Sequence, residues 1–377
     1  MKTIKVGVIG ANPERGWART AHVPALRALP QYEISAVGTT REESAREAAR
    51  LFGAPHAFTD PRELAAHPDV DMVAVTVKVP HHAELIRAAL DAGKHVLSEW
   101  PLALTTAEAE SLAKETDRAS VHHAIGLQAR QSPAIAYARE LLADGYIGQV
   151  TSVNVYAARP KGAGGRISAE HAYTADRANG AGVFEVAGGH TLDILEHLAG
   201  EITEVAGQLS LRHSRYTVAE TGQTVEATSP DHVLLNAVLA TGAVASVHLH
   251  DAKVTNSRTR LEFAGTEGDL VVSTDGTDHP QASQIQIGTP RVLAARGHGS
   301  WQELPVPARH RVVDAAIPDL AVLNVAQLYA RLAEDIIEDR RTVPGFDHAV
   351  RLHRLLDAIR LSADTGTRQP VTPSQPR

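Results

Sequence analysis

The chain has 377 residues, 43% of them apolar and 21% charged, which fits two soluble domains better than one core. Its net charge of −7 predicts no direct nucleic-acid partner, and the lack of any cysteine excludes disulfides, thiolate nucleophiles and cysteine-ligated metals. The opening Met1-Lys2-Thr3 runs straight into an apolar strand, and no stretch nears the roughly 20 apolar residues of a membrane span. The expectation is a cytoplasmic protein without a leader or membrane anchor.

In chain order, Ile4 to Ile9 reads as a β-branched strand ending at Gly10, and a helix follows from about Trp17 to Leu29. Ile34 to Val37, Met72 to Val77 and Lys94 to Leu97 are further strands. They alternate with helices over Arg41 to Leu51, over His82 to Ala92, and from Thr106, a residue of N-cap type. Strands alternating with helices of this length predict βαβ units on a parallel sheet, so the first domain is assigned to residues 1–125 with an α/β Rossmann fold.

The first strand–helix turn reads Gly10-Ala11-Asn12-Pro13-Glu14-Arg15-Gly16-Trp17, Gly-rich at both ends but not a strict G-x-G-x-x-G. Gly10 suits the tight turn, and Gly16 suits close approach of a pyrophosphate to helix N-terminal amides. The second strand ends Val37-Gly38-Thr39-Thr40-Arg41, without the carboxylate that NAD enzymes place on the ribose hydroxyls. Hydroxyls followed by a guanidinium suit a 2′-phosphate, so NADP is expected ahead of NAD.

From about Val150 the pattern changes. Val150 to Tyr156, Glu204 to Leu211, His232 to Leu239, Val244 to His250, Arg260 to Phe263 and Leu270 to Ser273 read as strands between Gly-rich turns. Gly189 to Ala199 and Leu320 to Glu338 read as helices. This is an α+β domain, residues 126–364, with a large mostly antiparallel sheet, followed by a polar tail at 365–377 that is expected to fray.

Several motifs, in order along nearly the whole chain, resemble the glucose–fructose oxidoreductase / inositol dehydrogenase (Gfo/Idh/MocA) family. They are the Val8-Ile9-Gly10 turn, Asp69-Val70-Asp71-Met72-Val73-Ala74-Val75-Thr76, His82-Ala83-Glu84 and Ala92-Gly93-Lys94-His95-Val96-Leu97-Ser98-Glu99. Gly126-Leu127-Gln128-Ala129-Arg130 with Pro133, Gly145-Tyr146-Ile147-Gly148, Gly188-Gly189-His190-Thr191-Leu192-Asp193 and Gly265-Thr266-Glu267-Gly268 continue the series. Gly10-x-Asn12 with Gly16-Trp17-Ala18, Glu99-Trp100 and Gly189-His190-Thr191-x-Asp193-Ile194-Leu195 resemble the branch of the fungal galactose-regulon repressor and its bacterial relatives.

The resemblance implies cofactor contacts from Gly10, Asn12, Arg15, Gly16, Trp17, Thr39, Thr40, Arg41, Lys78, Glu99, Trp100 and Arg130. It also implies a carbohydrate-like substrate held by Trp100, Asp176, His190 and Asp193, no metal, and a homodimer or homotetramer formed through open sheet faces. His190 and Asp193 are the catalytic candidates, His190 as acid–base because an imidazole pKa near 6.5 suits proton transfer. Two departures stand out. The family's Glu-Lys-Pro is here Glu99-Trp100-Pro101, and the first Asp of its Asp-x-Gly-x-His-x-x-Asp is Val186. Trp100 can stack on a ring but cannot donate a cationic proton. Lys78 and Asp176 are weighed as substitutes for the lost Lys and read as binding or surface residues.

His248 and His250 share a strand face without a partner pair, and His81, His82, His122 and His123 read as structural. No Walker loop, His-Glu-x-x-His or Gly-x-Ser-x-Gly occurs. Two readings stay open: an NADP-dependent oxidoreductase of sugars, polyols or sugar-derived alcohols and ketones, and a non-catalytic NADP-binding sensor or regulator.

Overall fold

The segment IKVGVI is apolar apart from Lys5, and in the computed structural model it forms β1, Ile4–Ile9, with Val6 and Val8 fully buried. The structure describes residues 3–276, 279–318 and 320–372. These divide into two compact units, Met1–Gln128 with Val312–Val350, and Ala129–Arg311 with Arg351–Arg377.

In the first unit β1 is followed by one wide helical turn, Ala18–His22, and α1, Val23–Arg27, in place of the single helix expected from Trp17 to Leu29. Pro24 sits at the start of α1, which it can enter but not continue from the preceding turn. Then come β2 (Tyr32–Gly38), α2 (Glu42–Phe52), β3 (His56–Phe58), α3 (Pro61–Ala66), β4 (Met72–Val75), α4 (His82–Asp91), β5 (His95–Glu99), α5 (Thr106–Ala119) and β6 (His123–Gly126). Helix α2 turns Ala45, Ala48 and Phe52 inward. Helix α5 is capped by Thr105, whose hydroxyl accepts from the Glu108 amide at 3.2 Å, so the cap lies one residue before the Thr106 expected. All six strands are parallel in the order β3-β2-β1-β4-β5-β6.

The second unit holds α6 (Pro133–Ala143), β7 (Val150–Ala158), β8 (Arg166–Ile167), α7 (Gly189–Ala199), β9 (Ile202–Ser210), β10 (Arg215–Val218) and β11 (Thr224–Glu226). It continues with β12 (His232–Leu239), β13 (Val244–His250), β14 (Arg258–Gly265), β15 (Gly268–Asp275), β16 (Arg291–Arg296) and β17 (Gln302–Glu303). With β18 (Gln369–Pro370), nine strands form one sheet in the order β17-β16-β15-β14-β7-β13-β12-β9-β18. Within this sheet only the β7–β13 pair is parallel. Alternation assigns its faces: Val233, Leu235, Ala237 and Leu239 of β12 are buried, whereas Leu234 is 40% exposed on the other side.

Two further helices complete the chain, α8 (Ala321–Glu338) and α9 (Phe346–Thr365). Helix α8, grouped with the second domain in the sequence reading, belongs to the first unit, where Tyr329 is fully buried and its carbonyl accepts from the Tyr32 hydroxyl at 2.8 Å. Its apolar face, not its position in the chain, decides the allegiance. The expected fraying tail is corrected over its described part. Thr365 ends α9, Gln369–Pro370 pairs with β9, and Val371 is buried with its amide bonded to the Thr203 carbonyl at 2.8 Å. Residues 373–377 of that tail lie outside the described residues. No helix among the described residues is long and apolar enough to cross a membrane.

Candidate functional site

In the first unit the strand order reverses between β1 and β4, and crevices for nucleotides open at the carboxyl ends of strands at such a point. Gly10 occupies that position with φ +94°. A Cβ there would meet Val77 Cγ1 at 2.8 Å and Thr76 Oγ1 at 2.9 Å, so only glycine fits. The Gly10 amide donates to the Gly38 carbonyl at 2.9 Å, which fastens the turn to the end of β2. Asn12 shapes the loop from within, its Oδ1 accepting from the Glu14 and Arg15 amides at 2.8 and 3.1 Å. Arg15 and Gly16 are exposed at the tip, and Trp17 is partly buried edge-on to His22.

At the end of β2 the Thr39 hydroxyl is engaged locally, with the Arg41 carbonyl at 2.9 Å and Ser44 Oγ at 2.6 Å. Thr40 and Arg41 are exposed, and Arg41 caps α2 in an extended conformation without an ion pair among the described residues. Lys78, beyond β4, is exposed as well. His82 is buried and braces the same edge: its Nδ1 lies 2.8 Å from the Pro101 carbonyl and its Nε2 3.0 Å from the Val77 carbonyl, tying the segments after β4 and β5 together.

Glu99, at the end of β5, is held by a pair that sequence reasoning missed. Its Oε1 lies 3.0 Å from His22 Nε2, and His22 Nδ1 lies 2.8 Å from the Tyr329 hydroxyl. Both His22 and Tyr329 are fully buried, and burial pushes the Tyr329 phenol well above its ordinary value. Nothing in the local sequence marks this relay, because its members are 77 and 307 residues apart. Trp100 follows and is buried at 4% exposure.

In the second unit a wide turn, Val183–Gly188, feeds α7, and His190 is the second residue of that helix, buried at 4% exposure. Asp193, one turn on, is fully buried, and Arg130 clamps it with Nε 2.9 Å from Oδ2 and Nη2 2.7 Å from Oδ1. Arg130 Nη1 also lies 3.1 Å from His197 Nδ1. Two residues given separate tasks in the sequence reading are thus each other's partners. Asp176 is exposed and caps a short turn, accepting from the Ala178 amide and the Thr228 hydroxyl, both at 3.0 Å.

A second buried charge group was not foreseen. Arg159 donates to both oxygens of Asp251 at 2.6 and 2.8 Å, and Lys161 Nζ lies 3.6 Å from Oδ2. Burial pushes the Lys161 ammonium down to about 8, Asp251 opposing this and Arg159 adding to it. Burial pushes the Asp251 carboxyl up, but Arg159 and Lys161 hold it below the usual carboxylate range. The pairing spans 92 residues and joins the ends of β7 and β13, a parallel pair the sequence pattern does not reveal.

Residues 4–127 match the oxidoreductase family with an NAD-binding Rossmann fold, GFO_IDH_MocA, and residues 133–274 match the Gal80p C-terminal domain family. The chain is 28% identical over 383 residues to dehydrogenase aclE of Aspergillus oryzae, an alignment covering 97% of each chain. It is 30% identical over 301 residues to 1,5-anhydro-D-fructose reductase of Ensifer adhaerens, covering 77% of this chain and 80% of that one. Its fold is that of a super-repressor mutant of Gal80p from Saccharomyces cerevisiae, with a TM-score of 0.86 at 24% identity and 98% coverage of both chains. The chain therefore belongs to the GFO_IDH_MocA oxidoreductase family, in the branch that carries a Gal80p-like second domain.

Proposed function

We propose that the protein is an NADP-dependent oxidoreductase acting on the CH–OH or carbonyl group of a sugar, polyol or sugar-derived compound. The observation that carries the cofactor choice is the end of β2. It holds no carboxylate, and Arg41 stands there exposed and unpaired among the described residues, a planar fork of donors suited to a 2′-phosphate. Gly10, whose missing side chain keeps the turn open, and the exposed Arg15 and Gly16 fit a dinucleotide pyrophosphate. Thr40, Lys78 and Glu99 complete the proposed contacts, while Asn12 and Thr39 act by shaping the loops that carry them.

When bound, the nicotinamide would supply the two-electron redox chemistry. His190 takes the proton of the reacting hydroxyl, or returns it to a carbonyl, at one imidazole nitrogen. Arg130 fixes Asp193 one helical turn from His190 and so holds α7 rigid under it. Trp100 offers a ring surface rather than a proton, and Asp176 binds hydroxyls only if its cap is released. The outer face of the nine-stranded sheet, with Leu234 40% and Val244 53% exposed beside a depression of about 410 Å³, is the surface proposed to pair in a homodimer or homotetramer.

The reading as an NADP-binding regulator is favoured by two observations. The residue after Glu99 is a buried Trp, not an ammonium, and the second domain is of the Gal80p type. Titration of the purified chain with NADP⁺ and NAD⁺ tests the cofactor claim. NADP⁺ is expected to bind at least tenfold more tightly, and equal or reversed preference contradicts it.

A further inference from the structure

We propose that His56, His67 and Asp69 form a binding site for a single zinc ion in the first unit, outside the proposed nucleotide crevice. Their donor atoms lie within 4.8 Å of one another, and among the described residues this is the group of three that meets that condition. His56 opens the edge strand β3, His67 ends α3, and Asp69 lies in the turn before β4. Three short elements thus deliver one ligand each from the approach sides of their strands, whereas Gly10 follows the exit end of β1.

The side chains are already gathered. His56 Nε2 lies 3.1 Å from Asp69 Oδ2, and the two imidazole rings have centroids 4.0 Å apart, with Phe58 against both. The Asp69 amide donates to His67 Nδ1 at 3.2 Å, which bends the turn so that ring and carboxylate converge. Lys5 Nζ takes the other oxygen, Oδ1, at 2.5 Å, so Asp69 would ligate through Oδ2 alone. All three ligands are partly exposed, which gives an ion a path in and leaves its remaining position to water.

Two imidazole nitrogens and one carboxylate oxygen select a borderline ion over magnesium or calcium, which want an all-oxygen shell. Zinc binds such donors at about 2.0–2.2 Å, a distance that donor atoms within 4.8 Å of one another can share around one ion. The ion would replace the His56–Asp69 hydrogen bond and also the bond from the Asp69 amide to His67 Nδ1, which frees a lone pair on the His67 imidazole, and it would tie β3 to the turn before β4. The site is separate from the reaction proposed above and does not depend on it.

The test adds zinc to the chelator-stripped full chain and reads bound metal per chain against a chromophoric chelator, with magnesium as the comparison. One equivalent is expected, with a raised thermal midpoint, and His56→Ala and His67→Ala should each weaken affinity at least tenfold. Circular dichroism and an unchanged thermal midpoint in the absence of metal establish that the variants are folded, with His67→Gln as the milder substitution. Failure to bind one equivalent, wild-type zinc affinity in the folded variants, or an equal response to magnesium overturns the proposal.

Discussion

With Trp100 and Asp176 as exceptions, the two units place their candidate functional residues in opposite environments. In the Rossmann unit Arg15, Gly16, Thr40, Arg41 and Lys78 are exposed on loops at strand ends, over a buried brace formed by His82 and by His22, Tyr329 and Glu99. In the second unit His190, Asp193, Arg159 and Asp251 are themselves buried, and three of them are locked in ion pairs. Exposed residues of the first kind can change with little cost to folding. Those of the second kind carry structure as well as any chemistry, so their loss cannot be read from activity alone.

The largest effect is expected where the second unit is broken. Asp193→Ala leaves the Arg130 guanidinium with its buried partner gone and should destabilise by about 3 kcal/mol, read by urea unfolding. A change below about 0.5 kcal/mol would mean that the pair is dispensable to folding. Next is Gly10→Ala, where the added Cβ meets Val77 and the Thr76 backbone at a φ of +94°. A loss of about 2 kcal/mol, together with weakened cofactor binding, is the expected result.

A smaller effect concerns pH. The Lys161 ammonium is held near 8 in the fold against about 10.5 in the unfolded chain, so between these values the unfolded state binds more protons. Its unfavourable contribution is fully present below 8 and is relieved as pH rises toward 10.5. The stability difference between wild type and Lys161→Met should therefore shift in favour of wild type across that window, and a flat difference would contradict the assignment. Smallest in stability is Arg41→Ser, expected to change it by under about 0.5 kcal/mol while lowering NADP⁺ affinity at least tenfold and leaving NAD⁺ little changed. An equal loss for both cofactors would place Arg41 away from the 2′-phosphate.

The same contrast governs what could be read in the sequence. Strands β1, β12 and β13 and helix α7 have the bounds that periodicity predicts, because each is a clean apolar run or alternation closed by a turn residue. Strand β3, three residues long and only partly buried, and helices α3, α6 and α9 escaped that reading. The conformation of the exposed loops was legible because Gly10 at its positive φ, Asn12 bonding its own turn and Arg41 at the start of α2 act locally. The buried pairs Arg130–Asp193, Arg159–Asp251 and His22–Tyr329 were not, since each joins residues distant in the chain that only the fold brings together.

The most direct test of the proposed activity follows reduced-cofactor absorbance when wild type and His190→Ala, both checked by urea unfolding, meet NADP⁺ and a panel of sugars and polyols. Substrate-dependent reduction by wild type is expected, together with its loss in a folded His190→Ala that still binds NADP⁺. Turnover retained by that variant would remove His190 from the chemistry. A wild type that binds NADP⁺ yet reduces it with no member of a broad panel would contradict the enzyme and leave the regulator.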